Sequence, residues 1–220
     1  MTDNSSANRF IPPVDTIWLG RPTTSTINLG SKGSRAITID LNRITPFRAI
    51  ACGNSGSDPV RVAAMLANDK PWDEIIIVGD RDGPLYDRLR TVKTPSELPP
   101  IESFGYDKRT LVIFDECCNV RSKADMKVMI EFCVRGRMRG ISTLFVECDL
   151  LHIPKCVRRN TDVLYLTTDP RYCWKEIKWM LYADAPIAEC FAALSRPHHW
   201  FKIDMISRET EVIDASKYYP

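Results

Sequence analysis

The chain has 220 residues, of which 44% are hydrophobic and 26% are charged, values typical of a globular domain. Thirty basic and 28 acidic residues leave a net charge of +2, so the overall charge neither requires nor excludes nucleic acid, and any basic patch must be local. No apolar run reaches about 18 residues and the N-terminal stretch has no apolar signal segment, so the sequence predicts neither a membrane span nor secretion.

The eight cysteines form no C-x-x-C pair, and several lie in apolar, strand-like segments. We interpret them as reduced, mostly buried thiols of a reducing compartment. The three histidines show no spacing typical of metal ligands. The sequence alone therefore favours a structural role for the cysteines over metal binding.

Residues 1–35 are rich in Ser, Thr, Asn, Gly and Pro, which predicts a flexible N-terminal arm with one short strand at 16–19. From residue 36 to residue 220, short apolar runs alternate with helical patterns. This alternation predicts an α/β domain with a mostly parallel central sheet flanked by helices. The predicted strands are 36–41, 47–52, 74–78, 110–114, 142–147, 163–166 and 199–205. The predicted helices are 59–68, 84–90, 123–137, 171–183 and 186–194.

The stretch ACGNSGSDPVRV, residues 51–62, has the strand, glycine-containing loop and helix of a phosphate-binding loop. The usual pattern is G-x-x-x-x-G-K-[ST]. Gly53 fits the first glycine, but Asp58, Pro59 and Val60 stand where glycine, lysine and Ser/Thr belong. The candidate nucleotide-binding residues are Gly53, Asn54, Ser55, Gly56, Ser57, Asp58, Pro59, Val60 and Arg61.

Asp58 followed by Pro59 is also an ordinary helix start, with Asp at the N-cap and Pro at the first helical position. The Asp58 carboxylate would accept the N–H groups that should face a phosphate, and it would add negative charge to an anion site. We therefore expect a self-capped helix with poor phosphate affinity, which Arg61 could partly offset. A plain turn between strand and helix is the alternative.

The stretch TLVIFDEC, residues 110–117, has the layout of a Walker B strand. In that layout Asp115 holds Mg²⁺ and its waters, and Glu116 is the base that activates water. Two solvated acids at the end of a strand are the alternative.

Two stretches, residues 131–143 and 152–162, are locally basic. Arginines after a helix could reach a neighbour's phosphates or a DNA backbone, although cations also stabilise a helix C-terminus without any ligand. The second stretch could equally be an ordinary solvated face. The candidate catalytic arginines are Arg135 and Arg137, and the candidate DNA contacts are Arg139, Lys155, Arg158 and Arg159.

The order of these stretches resembles the genome-packaging ATPases of large eukaryotic DNA viruses, the poxvirus-type branch of the FtsK–HerA-like P-loop class. The resemblance covers about residues 36–205. It rests on the following segments of this sequence: PFRAIACGNSGSDPV, EIIIVGDRDGPLYDRL, LPPIESFGYDKRTLVIFDE, CVRGRMRGISTLFVE, IPKCVRRN and HHWFKIDM.

The departures from the family pattern occur at residues that bind the nucleotide or assist its hydrolysis. Pro59 and Val60 replace the lysine and Ser/Thr of the phosphate loop. The family's Thr-Gln pair, which helps to sense the γ-phosphate, aligns with Glu147-Cys148. The two acids and the two catalytic arginines match the family.

The resemblance implies a RecA-like core that assembles into a homo- or hetero-oligomeric ring, binds ATP and Mg²⁺ at subunit interfaces, and drives double-stranded viral DNA into a capsid. With this loop, we expect a packaging-ATPase-like pseudoenzyme that could still supply an arginine in trans, bind DNA or dock at a capsid vertex. The resemblance implies residence in the host cytoplasm, the viral factory or the virion.

Two other hypotheses stay open. One is a working packaging motor with an unconventional phosphate loop, in which backbone N–H groups of residues 54–57 hold the phosphate. The other is a structural capsid or scaffold protein that reuses the fold and needs no ATP or Mg²⁺.

Overall fold

Two compact units make up the chain: Pro12–Thr45 forms one, and the rest of the chain forms the other. In the smaller unit, β1 (Ser25–Ile27) pairs antiparallel with β2 (Ile37–Ile39). The strand predicted at 16–19 lies outside the described residues. The computed structural model describes residues 25–27, 37–39, 46–53, 58–69, 71–79, 89–117, 122–167, 174–181 and 187–216.

The larger unit contains an eight-stranded sheet in the order β10-β9-β8-β3-β7-β6-β4-β5. The six strands from β8 to β5 run parallel, and β9 and β10 are antiparallel additions at one edge. The predicted mostly parallel sheet is confirmed. The strands are β3 (Arg48–Cys52), β4 (Glu74–Val78), β5 (Arg90–Val92), β6 (Thr110–Asp115), β7 (Ile141–Glu147), β8 (Val163–Leu166), β9 (His199–Asp204) and β10 (Thr210–Asp214).

Two strands of this sheet were not predicted, and neither was β1 of the smaller unit. β10 is a largely exposed edge strand, so it lacks the apolar run by which buried strands are recognised. Most of the predicted helix 84–90 lies outside the described residues, and its last residue, Arg90, opens the edge strand β5 instead. The prediction was wrong at that residue because Arg90 pairs with Ile76 of β4.

Five helices accompany the sheet in the described part of the chain. Ser122 caps α2 by accepting a hydrogen bond from the Asp125 N–H at 3.4 Å. This helix ends two residues earlier than predicted, because the chain tightens into a 3₁₀ turn at Gly136–Arg139. The helices are α1 (Asp58–Asp69), α2 (Lys123–Arg135), α3 (Lys155–Arg159), α4 (Trp174–Leu181) and α5 (Ile187–Leu194). None of the described helices is both long and apolar enough to cross a membrane.

Gly140 ends the 3₁₀ turn with a φ of 71°, in the left-handed region that favours glycine. A β-carbon there would lie 2.5 Å from the Lys108 carbonyl oxygen. Only glycine therefore lets the chain turn directly into β7 at this point.

The side chains of the central strands alternate between two apolar layers. One layer packs under α1, and the other packs under α2, α4 and α5. Because of this alternation, Asp115 lies on the α1 side with Ile113, whereas Cys52 and Glu147 lie on the α2 side with Phe145. The largest fully buried side chains include Trp200, Phe114, Phe132, Phe145 and Phe201.

Candidate nucleotide site and basic surface

The strand order brings three separate segments together at the carboxyl edge of the sheet. β7 lies between β3 and β6, so Gly53, Glu147 and Glu116 come at the ends of neighbouring strands. The Gly53 N–H donates to the Glu147 carbonyl at 3.2 Å, and the Glu116 N–H donates to the Val146 carbonyl at 2.8 Å. The start of the candidate phosphate loop and the two candidate Walker B acids are therefore held at the carboxyl ends of neighbouring strands, where ligands of open α/β sheets bind.

The two acids at the carboxyl end of β6 lie in different environments. Asp115 is buried, with 4% of its surface exposed, while Glu116 is partly exposed. Glu116 has a φ of 49°, a left-handed conformation that costs a residue with a side chain on the order of 1–3 kcal/mol. Such strain persists only where the surroundings impose it, and here the backbone of Glu116 is tied to β7. The strained residue is the one predicted to act as the base.

The end of β4 packs closely against these acids. A β-carbon at Gly79 would lie 3.0 Å from the Asp115 carbonyl oxygen. The Cys117 thiol donates to the Val78 carbonyl at 3.0 Å. Burial, together with the negative charge of Asp115, raises the pKa of Cys117 to about 12. Cys117 is therefore a protonated structural thiol, as the sequence led us to expect for buried cysteines.

The candidate phosphate loop is described only at its two ends. Gly53 is buried at the end of β3, and α1 begins at Asp58 with Pro59 buried in its first turn. Val60 packs against the apolar layer under α1. Arg61 is half-buried. The first turn of α1 thus offers neither the ammonium group nor the hydroxyl of a usual phosphate loop. The predicted phosphate cradle, Asn54, Ser55, Gly56 and Ser57, and the predicted self-cap by the Asp58 side chain lie outside the described residues.

At the end of β7, Glu147 is buried with 1% of its surface exposed, and Cys148 is half-buried. Burial, followed by the negative charges of Glu116 and Glu147, raises the pKa of Cys148. The chain then turns back and brings His152 near both residues, so that ligand atoms of all three lie within 4.8 Å of one another. Sequence reasoning missed this cluster. The signal was the run E-C-x-x-x-H directly after a buried strand.

The candidate arginines lie at the opposite ends of the strands, where the amino end of β7 begins. Arg135 ends α2, and Arg137 lies in the turn that leads into the first residue of β7. β7 has seven residues, so its two ends are about 20 Å apart at roughly 3.3 Å per residue. An arginine at one end of β7 cannot reach a phosphate held at the other end in the same chain.

These arginines are paired with acids. Arg135 has 52% of its side chain exposed, donates to Glu102 Oε1 at 2.8 Å and also contacts Glu131. Arg137 Nη1 lies 3.9 Å from Asp162 Oδ1. The pairs of Arg135 are solvent-exposed, and exposed ion pairs contribute little to stability, so this arginine can exchange its partners easily.

The guanidinium of Arg139 lies 4.4 Å from the ring centroid of Tyr106, which is exposed. A cation over an aromatic face is held there with a preferred orientation. Arg139 Nη1 also donates to the Glu102 carbonyl at 3.4 Å. Tyr106 and Glu102 therefore hold Arg139 on the surface where Arg135, which also contacts Glu102, lies.

The three basic residues of α3 have two different roles. Lys155 Nζ and the Arg159 guanidinium lie 5.4 Å and 4.8 Å from the ring centroid of Trp179. Arg158 is instead 11% exposed and donates to Glu176 at 2.7 Å. Lys155 and Arg159 face solvent and are available to an anionic ligand, whereas Arg158 holds α3 to α4.

Comparison with known structures identifies the fold. Neither protein-family profiles nor curated protein sequences match this chain. The genome-packaging NTPase B204 of Sulfolobus turreted icosahedral virus 2, in complex with ATPγS, is 15% identical with a TM-score of 0.52. The match covers 76% of this chain and 96% of B204. The chain has the fold of a P-loop NTPase.

Two further solved structures share this fold. The pCW3 conjugation coupling protein TcpA, in a monomer form with ATPγS, is 14% identical with a TM-score of 0.51, over 94% of this chain and 70% of TcpA. The cytoplasmic domain of the type VII secretion ATPase EccC from Thermomonospora curvata is 11% identical with a TM-score of 0.53, over 96% of this chain and 27% of EccC. At these identities the similarity establishes the fold alone.

Proposed function

We propose that this chain is a viral DNA-packaging ATPase-like subunit whose ATP hydrolysis is weakened or lost. The fold and the acids Asp115 and Glu116 at the carboxyl edge support the ATPase-like part of the proposal. The first turn of α1 supports the loss, since Pro59 and Val60 provide no charge for the phosphate and no hydroxyl for Mg²⁺. B204, which shares the fold, is a genome-packaging NTPase that binds ATPγS.

The observation that carries the proposal is the separation of acids and arginines to opposite edges of the sheet. A complete site of this type needs a loop from one subunit and an arginine from the next, which favours a homo- or hetero-oligomeric ring. In such a ring a subunit with a weak phosphate loop still contributes Arg135 or Arg137 to its neighbour. Its own site would hold ATP and Mg²⁺ poorly or not at all.

Double-stranded viral DNA is the proposed partner, with Lys155, Arg159 and Arg139 as contacts to its phosphates. Their side chains carry charge at or near the surface in a chain of nearly balanced total charge. A capsid vertex is a second proposed docking partner. The proposed place of action is the host cytoplasm, the viral factory or the virion.

Calorimetry of ATP binding with Mg²⁺ tests the proposal. The natural chain is compared with the triple variant Asp58→Gly, Pro59→Lys, Val60→Thr. We expect no measurable binding by the natural chain and clear binding by the variant, because the variant regains the lysine and the hydroxyl. Micromolar binding by the natural chain would contradict the proposal.

A working motor with an unconventional phosphate loop is the second candidate, and the strained backbone of Glu116 favours it. Strain of this kind clusters at sites where it serves a mechanism. In a working motor, Glu116→Gln abolishes hydrolysis and leaves ATP binding intact. If the natural chain hydrolyses no ATP in any assembly, this candidate fails.

A further inference from the structure

The carboxyl end of β7 carries three side chains of the kinds that bind transition metals. They are the carboxylate of Glu147, the thiol of Cys148 and the imidazole of His152, and one ligand atom from each lies within 4.8 Å of the other two. Oxygen, sulfur and nitrogen ligands together suit zinc, whereas magnesium and calcium prefer oxygen ligands.

A short, anchored turn holds these groups in place. Asp149 caps the 3₁₀ turn Leu150–His152 by accepting from the Leu151 N–H at 2.8 Å, and the His152 N–H donates to the Asp149 carbonyl at 3.1 Å. Leu150 and Ile153 are buried on either side of His152. The backbone of the site is therefore fixed by the fold, while the exposed imidazole can still rotate toward a metal.

The distances require only a small adjustment. Zinc bonds of about 2.0–2.3 Å in a tetrahedral site place ligand atoms roughly 3.3–3.8 Å apart. The three distances, each at most 4.8 Å, must close by about 1 Å, which rotation of the exposed His152 side chain and the half-buried Cys148 side chain can supply.

We propose that Glu147, Cys148 and His152 bind one zinc ion at the carboxyl end of β7. Three protein ligands leave the fourth tetrahedral position for water or an anion. The ion would lie at the sheet edge that also carries Gly53 and Glu116. This site does not depend on the proposed function, because its ligands are all in one segment of one chain.

The test uses the reduced full-length chain and a zinc titration against a chromophoric chelator. We expect one tightly bound zinc ion per chain that excess Mg²⁺ does not displace. Cobalt substitution should give a thiolate-to-metal charge-transfer band with the natural chain. That band should be absent with Cys148→Ser.

Ligand variants decide whether the bound metal occupies this site. Replacing an outer-shell partner alone costs about 10–100-fold in metal affinity, so His152→Ala and Glu147→Gln should each cost at least about as much. His152 is exposed, so its variant should fold normally, which circular dichroism checks. The matched controls, Cys156→Ser and His198→Asn, should bind zinc as the natural chain does.

Three results would overturn the proposal. The first is no stoichiometric zinc binding by the natural chain. The second is zinc binding that Cys148→Ser and His152→Ala leave unchanged, which would locate the metal on other cysteines. The third is loss of the bound zinc in excess Mg²⁺.

Discussion

The two edges of the central sheet are built differently. At the carboxyl ends of the strands the acids are partly or fully buried, Glu116 is strained, and Pro59 and Val60 stand in the first turn of α1. At the amino ends Arg135 and Arg137 are exposed and lie in ion pairs. The proposed pseudoenzyme subunit requires this difference: a helix start that holds phosphate poorly, and arginines that a neighbouring subunit can use.

The largest expected effect is the ATP hydrolysis gained when two inactive chains are mixed and complement each other. One chain carries the restored loop, Asp58→Gly, Pro59→Lys and Val60→Thr, together with the family's sensor pair, Glu147→Thr and Cys148→Gln, and lacks both arginines. The other is the natural chain. Neither should hydrolyse ATP alone. The mixture should, because an arginine supplied by a neighbour is worth about 10³–10⁵-fold in turnover. The rate of phosphate release measures the ATPase activity of the mixture.

The control for this mixture carries Glu116→Gln on the natural chain. The mixture should keep its activity, because the natural chain contributes only its arginines to the working site. If the restored chain without arginines hydrolyses ATP by itself, the two edges do not form a shared site.

The amino ends of the strands also carry a largely buried ion pair, Arg48–Asp162, whose carboxylate lies 3.9 Å from Arg137 Nη1. Asp162 accepts from Arg48 Nη2 at 2.7 Å and from Arg48 Nε at 3.0 Å, and this bonding raises the pKa of Arg48. Asp162→Ala leaves the Arg48 guanidinium largely buried without its partner, which should lower the free energy of unfolding by about 3–5 kcal/mol. Urea unfolding gives this value.

The matched control is Asp73→Ala, which breaks the more exposed Arg109–Asp73 pair. It should cost less than about 1 kcal/mol. Equal losses for the two variants would mean that the Arg48–Asp162 pair is no more important than a surface pair.

Relief of the backbone strain at Glu116, at the carboxyl end of β6, should have a smaller effect on the free energy of unfolding. Glu116→Gly removes the side chain that a φ of 49° disfavours. The free energy of unfolding should rise by up to about 1 kcal/mol, a gain limited by the greater freedom of glycine in the unfolded chain. Thermal or urea unfolding measures the change.

Glu116→Gln keeps the β-carbon, so it should bring no such gain. If both variants stabilise the chain equally, the cause is loss of the charge rather than relief of backbone strain.

Much of the fold could be predicted because the central strands are continuous apolar runs, such as TLVIF before Asp115. The exposed edge strands β5 and β10 lack that signal. The edge at which each arginine lies could not be read from the sequence, because it depends on the strand order. The Glu147–Cys148–His152 cluster was missed for a similar reason: it forms only because buried Leu150 turns the chain back after β7.

The smallest expected effect is that of Arg135→Ala on stability. It tests whether Arg135 stabilises its own chain or is available to a neighbouring subunit. Its ion pairs with Glu102 and Glu131 are solvent-exposed, so Arg135→Ala should leave the midpoint of urea unfolding nearly unchanged. Arg90→Ala, which breaks a similarly exposed pair with Glu74, is the matched control and should behave alike. A clear fall of the midpoint for Arg135→Ala alone would mean that this arginine stabilises its own chain. The case for an arginine that can leave its partners for a neighbouring subunit would then rest on Arg137.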